Sequence, residues 1–156
     1  MFKIKNVLIS VSDKSNLELL SPFFEKHKVK IYSSGGTAKY LNKINSNLDV
    51  TEISKFTDFP EILDGRVKTL HPMIHGGILA KRSNKKHIAD CKKNNISFFD
   101  LVIVNLYPFE QSIANNESVE SCIENIDIGG PTLIRSAAKN FEDVLVIVSK
   151  LSLIHI

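Results

Sequence analysis

Apolar residues along the chain follow two alternating rhythms. Residues 4–11 are nearly continuous in apolar character (Ile4, Val7, Leu8, Ile9, Val11), as expected of a strand covered on both faces. From Asp13, an N-cap residue type, Leu17, Leu20, Phe23 and Phe24 recur at helical spacing up to about His27. The device then repeats. Residues 29–32 read as a second strand, Ser33-Ser34-Gly35-Gly36-Thr37 as a turn and residues 38–44 as a helix, and residues 50–53 offer a short third strand towards one edge. Between residues 54 and 77 the periodicity lapses, with Phe56, Phe59 and Leu63 expected to press this stretch onto the body. So long an irregular crossing points to function.

The second half resumes the pattern. Residues 78–95 form a basic, helical surface segment with Ile88 as a core contact, and residues 100–106 are the clearest strand, dense enough in apolar side chains for a central position. A weak amphipathic helix over 119–126 leads to the turn Asp127-Ile128-Gly129-Gly130-Pro131, where Pro131 suits the first helical position. Residues 132–139 continue as a helix and residues 144–148 as the last strand. Alternation of about five short buried strands with helices predicts an α/β domain built on a mainly parallel sheet.

Length and composition add bounds rather than identity. A chain of 156 residues fits one domain and buries roughly 70% of its unfolded surface. The net charge of +3 mildly favours anionic partners. Cys91 and Cys122 lie far apart with no Cys-x-x-Cys pairing, which predicts free thiols in a reducing compartment. No apolar run has the length of a membrane-spanning helix and the N-terminus runs straight into a strand, so a cytoplasmic domain without a membrane partner is expected. The cluster Lys81, Arg82, Lys85, Lys86, His87, Lys92 and Lys93 is interrupted by Asp90 and carries no alternating aromatic platforms. A solvated helical face explains it better than nucleic acid does.

Candidate chemistry concentrates in a few stretches. Residues 65–77 pack Arg66, Lys68, Thr69, His71, His75 and three glycines into one segment, as the floor of a cleft would. If that segment is extended, Arg66 and Lys68 point to one side and Val67 to the other. Arg grips phosphate or carboxylate with its fork, whereas Lys is the group whose pKa can be lowered for proton transfer. His71 and His75, four apart, would share a helix face, but no His-Glu-x-x-His is present and no third ligand is near in sequence, so no metal is expected.

The turns holding Ser12, Asp13 and Lys14 and holding Ser34, Gly35, Gly36 and Thr37 would lie side by side at one sheet edge. Glycines, hydroxyls and a following helix N-terminus suit the second to an anion. The spacing is that of neither a Rossmann fingerprint nor a P-loop. The strand over 100–106 delivers Asn105 and Tyr107 at its carboxyl end, where open α/β sheets bind ligands. Gly129 and Gly130 open a helix whose first N–H groups can stabilise an oxyanion. Lys139 would lie roughly 12 Å along from Pro131, serving the far side of a ligand or standing as a surface lysine.

With these residues in view the chain resembles the N-terminal domain of the bifunctional purine-biosynthesis family that joins inosine monophosphate cyclohydrolase to phosphoribosylaminoimidazolecarboxamide formyltransferase. Five stretches match in order: Ser-Val-Ser-Asp-Lys at 10–14, Ser-Gly-Gly-Thr at 34–37, Gly-Arg-Val-Lys-Thr-Leu-His-Pro at 65–72, Asn-Leu-Tyr-Pro-Phe at 105–109, and Ile-Asp-Ile-Gly-Gly at 126–130 followed by Ala-Ala-Lys-Asn.

The resemblance implies a three-layer, doubly wound fold like that of methylglyoxal synthase over residues 1–148. It also implies closure of 5-formamidoimidazole-4-carboxamide ribonucleotide to inosine monophosphate, with a purine ribonucleotide as ligand, no cofactor and a homodimer. Ser12, Asp13, Lys14, residues 34–37, Arg66, Val67 and Thr69 would surround the nucleotide. Asn105, Tyr107, Asp127 and Ile128 would line its base end. Lys68 and Tyr107 would relay a proton, Asp127 and Lys139 would orient the carboxamide and protonate the departing oxygen, and Gly129 and Gly130 would hold the oxyanion.

Residues 149–156 depart from the family pattern and are expected to be a truncation or artefact, with the formyltransferase domain absent. A methylglyoxal synthase-like phosphate lyase and a non-catalytic nucleotide sensor are the rival readings.

Overall fold

The computed structural model describes residues 3–149. Strands β1 (Asn6–Ser10), β2 (Lys30–Ser33), β3 (Asp49–Glu52), β4 (Leu101–Val104) and β5 (Leu145–Ile147) form one sheet in the order β3-β2-β1-β4-β5, every pairing parallel. Around it lie α1 (Ser21–His27), α2 (Gly35–Ile44), α3 (Ile53–Thr57), α4 (Pro72–Leu79), α5 (Lys85–Lys93), α6 (Phe109–Ala114), α7 (Val119–Glu124) and α8 (Gly129–Lys139). The expected α/β architecture with five strands is the one observed.

The apolar run of β1 has its reason in two cores. Val7 and Ile9 pack on one face with Leu17, Phe24, Ile31 and Leu41, while Leu8 packs on the other with Ile74, Ile78, Phe99, Val102 and Leu133. A strand buried on both sides cannot alternate apolar with polar, hence the unbroken pattern. The second core contains an aromatic cluster in which Phe99 meets Tyr32 edge-on at 5.3 Å and Phe56 at 6.1 Å. β4 is interior and fully buried, although β1 holds the middle position.

The starts of β1 and β4 are pinned together. The buried Asp100 carboxylate accepts from Lys5 N at 2.6 Å and Asn6 N at 2.8 Å, and pairs with Arg82 at 2.8 Å. That latch sets the register in which Ser10 faces Val104 at the opposite end. The chain leaves β1 towards β2 on one side and returns through β4 on the other, so their carboxyl ends flank a topological switch point, the place where such sheets open a crevice.

Several local expectations are corrected. Asp13 does not cap a helix: it accepts from Ser15 N and Ser15 Oγ, and helical structure starts later, as a 3-10 turn over Leu17–Leu20 ahead of α1. The stretch 54–77 is not uniformly irregular, since α3, a short hairpin and the start of α4 lie within it. Of its expected anchors only Phe56 packs inward, while Phe59 and Leu63 are exposed.

His71 is the N-cap of α4, its Nδ1 accepting from Met73 N, and Pro72 takes the first helical position, so the two histidines do not share a face. Ile88 is exposed and Cys91 is the buried residue of α5. α8 begins at Gly129, which puts Pro131 at its third position, still within the turn whose N–H groups need no intrahelical partner. α6 had no counterpart in the sequence pattern. The expectation for the tail concerns residues that, apart from Ser149, lie outside those described.

Candidate functional site

A cavity of about 440 Å³ opens at the carboxyl ends of β1 and β4. Of the sequence-derived candidates, Ser12, Ser34, Arg66, Lys68, Thr69, Asn105, Tyr107, Asp127, Ile128, Gly129 and Gly130 line it. Asp13, Lys14, Gly35, Gly36, Thr37, Val67 and Lys139 do not line it. Thr37 is buried beneath the turn, with Oγ1 donating to Val11 O at 3.5 Å, and Lys14 folds back to donate from Nζ to Ser12 O at 3.2 Å. Lys139 is exposed at the last position of α8, about 15 Å along the helix from Gly129.

Two helices aim their starts at this cavity. α2 begins behind Ser34, which lines the cavity, has an extended backbone and makes no side-chain cap, so Ser34 leaves the N–H groups of the first turn uncapped. α8 begins with Gly129 and Gly130 against the opposite wall. A Cβ on Gly130 would lie 2.4 Å from Leu106 Cδ2 and 2.9 Å from Asp127 Oδ2, so glycine lets the loop after β4 settle onto the helix start. Asp127 ties the two together: Oδ1 accepts from Gly130 N at 2.8 Å and Oδ2 from Tyr107 N at 3.3 Å. Asn105 staples the first turn to β4, its Oδ1 accepting from Ser12 N at 2.7 Å and Asp13 N at 3.1 Å while Nδ2 donates to Asp13 O at 2.7 Å.

The floor is a hairpin. Ile62 and Val67 form an antiparallel pair through two backbone hydrogen bonds, and the chain reverses through Leu63, Asp64 and Gly65, all at positive φ. Arg66 occupies a helical conformation at the end of that reversal, so Arg66 and Lys68 do not project in parallel from an extended segment. Arg66 reaches across the mouth to Glu124, which it pairs with through both fork nitrogens.

Lys68 Nζ lies 2.9 Å from Glu61 Oε1. Burial is the largest influence on Lys68 and pulls its pKa down. The hydrogen bond to Glu61, the neighbouring Tyr107 oxygen and the Glu61 charge outweigh it and hold the ammonium above its ordinary value. Lys68 is thus held towards its charged form beside Glu61 and Tyr107.

Beneath the floor, His75 Nδ1 meets Ser136 Oγ at 3.0 Å, linking α4 to α8, and burial lowers its pKa against an opposing contact with the Thr69 backbone. Sequence reasoning missed Glu61 and Glu124. The signal for Glu61 was present, since Asp64-Gly65 between Ile62 and Val67 is a hairpin signature that puts 61 opposite 68. Nothing in the sequence points from Arg66 to Glu124. Among the described residues no cluster of three or more His, Cys, Asp or Glu side chains could hold a metal, and no helix is long and apolar enough to cross a membrane.

With this geometry in place, the chain was compared with known proteins. The model of the MGS-like domain matches residues 17–132. A bifunctional purine biosynthesis protein PurH of Clostridium perfringens (strain SM101 / Type A) is 54% identical over 146 residues, which cover 94% of this chain and 29% of that protein. PurH proteins of Rhodospirillum rubrum and Prochlorococcus marinus are each 54% identical, over 93% and 90% of this chain and 27% of their own length. The chain thus spans less than a third of the curated relatives it matches. The crystal structure of ForH superposes with a TM-score of 0.73 at 31% identity, covering 92% of this chain and 74% of that one.

Proposed function

Since the chain belongs to the MGS-like domain family, we propose that its cavity closes the second ring of a purine, converting 5-formamidoimidazole-4-carboxamide ribonucleotide to inosine monophosphate with loss of water. The observation that carries this reading is the convergence, on one cavity, of a paired lysine cation, a phenol and two helix N-termini. The naming of the PurH relatives as bifunctional purine biosynthesis proteins supports it.

The substrate's phosphate docks at the start of α2, where Ser34 and the first-turn N–H groups receive negative charge, with Arg66 released from Glu124 to grip it. The heterocycle then extends towards Tyr107, Lys68 and Ile128. Ring closure needs the carboxamide nitrogen to attack the formamide carbon, so one N–H proton must leave and charge must gather on the formyl oxygen. The Lys68 ammonium and the start of α8 stabilise that oxygen. Tyr107 carries the proton from nitrogen to that oxygen, giving a ring hydroxyl; the former formamide nitrogen then gives up its N–H proton as its bond to the formyl carbon becomes double, and the hydroxyl takes up a proton and departs as water. Both reacting groups belong to one molecule, so much of the acceleration is orientation. Asp127, committed to Gly130 N and Tyr107 N, holds the phenol's loop rather than moving a proton. Lys139 takes no step in this scheme, because of its place at the far end of α8.

No cofactor is needed for this chemistry. A homodimer and a cytoplasmic setting complete the proposal, and Arg82 of the basic run is already spent on Asp100 and Phe99 O rather than offered to nucleic acid.

Incubating the purified chain with the formylated ribonucleotide and following product absorbance tests the reading. Turnover supports it. Binding without turnover points to a nucleotide sensor, and methylglyoxal released from a triose phosphate points to a lyase; either overturns it.

A further inference from the structure

Glu61 lies outside every motif that carries the candidate chemistry, yet the hairpin puts it at one address. Ile62 and Val67 are a hydrogen-bonded antiparallel pair, so positions 61 and 68 are the next pair along, the non-hydrogen-bonded kind in which side chains approach most closely. The ion pair crosses directly over Gly65: a Cβ there would lie 2.6 Å from Glu61 Oε1, 2.6 Å from Lys68 Cε and 2.9 Å from Lys68 Nζ. Gly65 also sits at φ +88°, which other residues rarely adopt. The backbone has thus been cleared for this one contact.

We propose that Glu61 is a positioning residue, holding the Lys68 ammonium protonated and aimed into the cavity from the opposite strand of the 62–67 hairpin.

The assignment rests on the cyclohydrolase reading for its catalytic meaning. A lysine that stabilises an oxyanion must stay charged while a substrate covers it and removes water, and covering alone drives the proton off. Within the hairpin Lys68 is faced by Glu61, with Asp64 and Arg66 at the turn. The loop after β4 presents Tyr107, the loop before α8 presents Asp127, and α7 presents Glu124, which is engaged with Arg66. Asp127 is held by two backbone N–H groups, which leaves Glu61 as the carboxylate in direct contact with the ammonium.

The test compares wild type, Glu61→Gln and Glu61→Asp by the pH dependence of kcat for cyclisation. In parallel, Lys68 is titrated by NMR with labelled lysine, its signal assigned by its loss in Lys68→Met. In Glu61→Gln the basic limb of kcat moves to lower pH, with kcat falling about tenfold for each unit of displacement at pH values above the limb, while KM changes little. The Lys68 titration moves with it, and Glu61→Asp, which keeps the charge, recovers part of both. An unmoved limb with an unmoved Lys68 titration overturns the assignment, as does a limb that moves equally in the Gln and Asp variants. If wild type shows no turnover, the cyclohydrolase reading fails. The Lys68 titration still decides whether Glu61 governs that lysine.

Discussion

Removing the Asn105 side chain should loosen one wall of the cavity by an amount the geometry allows to be worked out. Asn105 makes three hydrogen bonds to the turn after β1, and they are not equal. The bond from Ser12 N at 2.7 Å is partly buried, whereas the two to Asp13 N and Asp13 O lie at the surface, where water can replace them. In Asn105→Ala a partly buried N–H left without a partner costs about 1–2 kcal/mol, and the exposed pair adds a few tenths, for a total of about 2 kcal/mol. For a chain of this size that lowers Tm by roughly 4–8 °C. Asn105→Asp separates the contributions, because it keeps the two acceptor contacts but sets an oxygen against Asp13 O. Thermal denaturation followed by circular dichroism gives the stability, and cyclisation kinetics give the consequence. Because Ser12 lines the cavity, the loosened turn should raise KM more than it lowers kcat. An Asn105→Ala protein melting within about 1 °C of wild type would show that the amide does not hold the turn, since a lost staple of that size cannot be silent.

The remaining predictions address the ion pairs and the half-buried imidazole. Arg66→Ala should leave Tm unchanged, because its pair with Glu124 is exposed, yet raise KM for a phosphorylated substrate at least about tenfold. Equal KM values in steady-state kinetics would remove Arg66 from the phosphate site. Asp100→Asn should cost about 2 kcal/mol by removing the charge that Arg82 pairs with and weakening the Lys5 and Asn6 contacts, read by urea unfolding, with a cost below about 0.5 kcal/mol counting against the latch. His75 has a folded pKa below the ordinary 6.5, so the folded state binds fewer protons than the unfolded one. Its contribution is complete above about pH 6.5 and is lost as pH falls through the lower folded value. Urea unfolding between pH 5 and 8 should show that slope in wild type and a flatter one in His75→Gln; identical slopes would refute it.

Much of the architecture was legible along the chain because burial on two faces leaves a local mark. Residues 7–9 and 101–104 had to read as unbroken apolar runs once their strands were covered on both sides, and the Gly-Gly pairs had to mark the starts of α2 and α8. The motifs at 10–14, 34–37, 65–72, 105–109 and 126–130 likewise stood out by residue type, and most of their members do meet in one cavity.

What local pattern could not convey was which partner each side chain meets. The carboxylate at position 124 looks like any solvated glutamate until α7 carries it to Arg66, and the one at 61 meets Lys68 only once Asp64-Gly65 is read as a hairpin turn. The proton affinity of Lys68 is then decided by those neighbours and not by its own chemistry. The same holds for Asp13, whose residue type suggests a cap but whose carboxylate turns to Ser15. Residue pattern along the chain marked the five strands, most of the longer helices and the kinds of group available. Charge states and contacts are settled by folding, because electrostatic and hydrogen-bond energies depend on distances of a few ångströms between residues that can lie many positions apart along the chain.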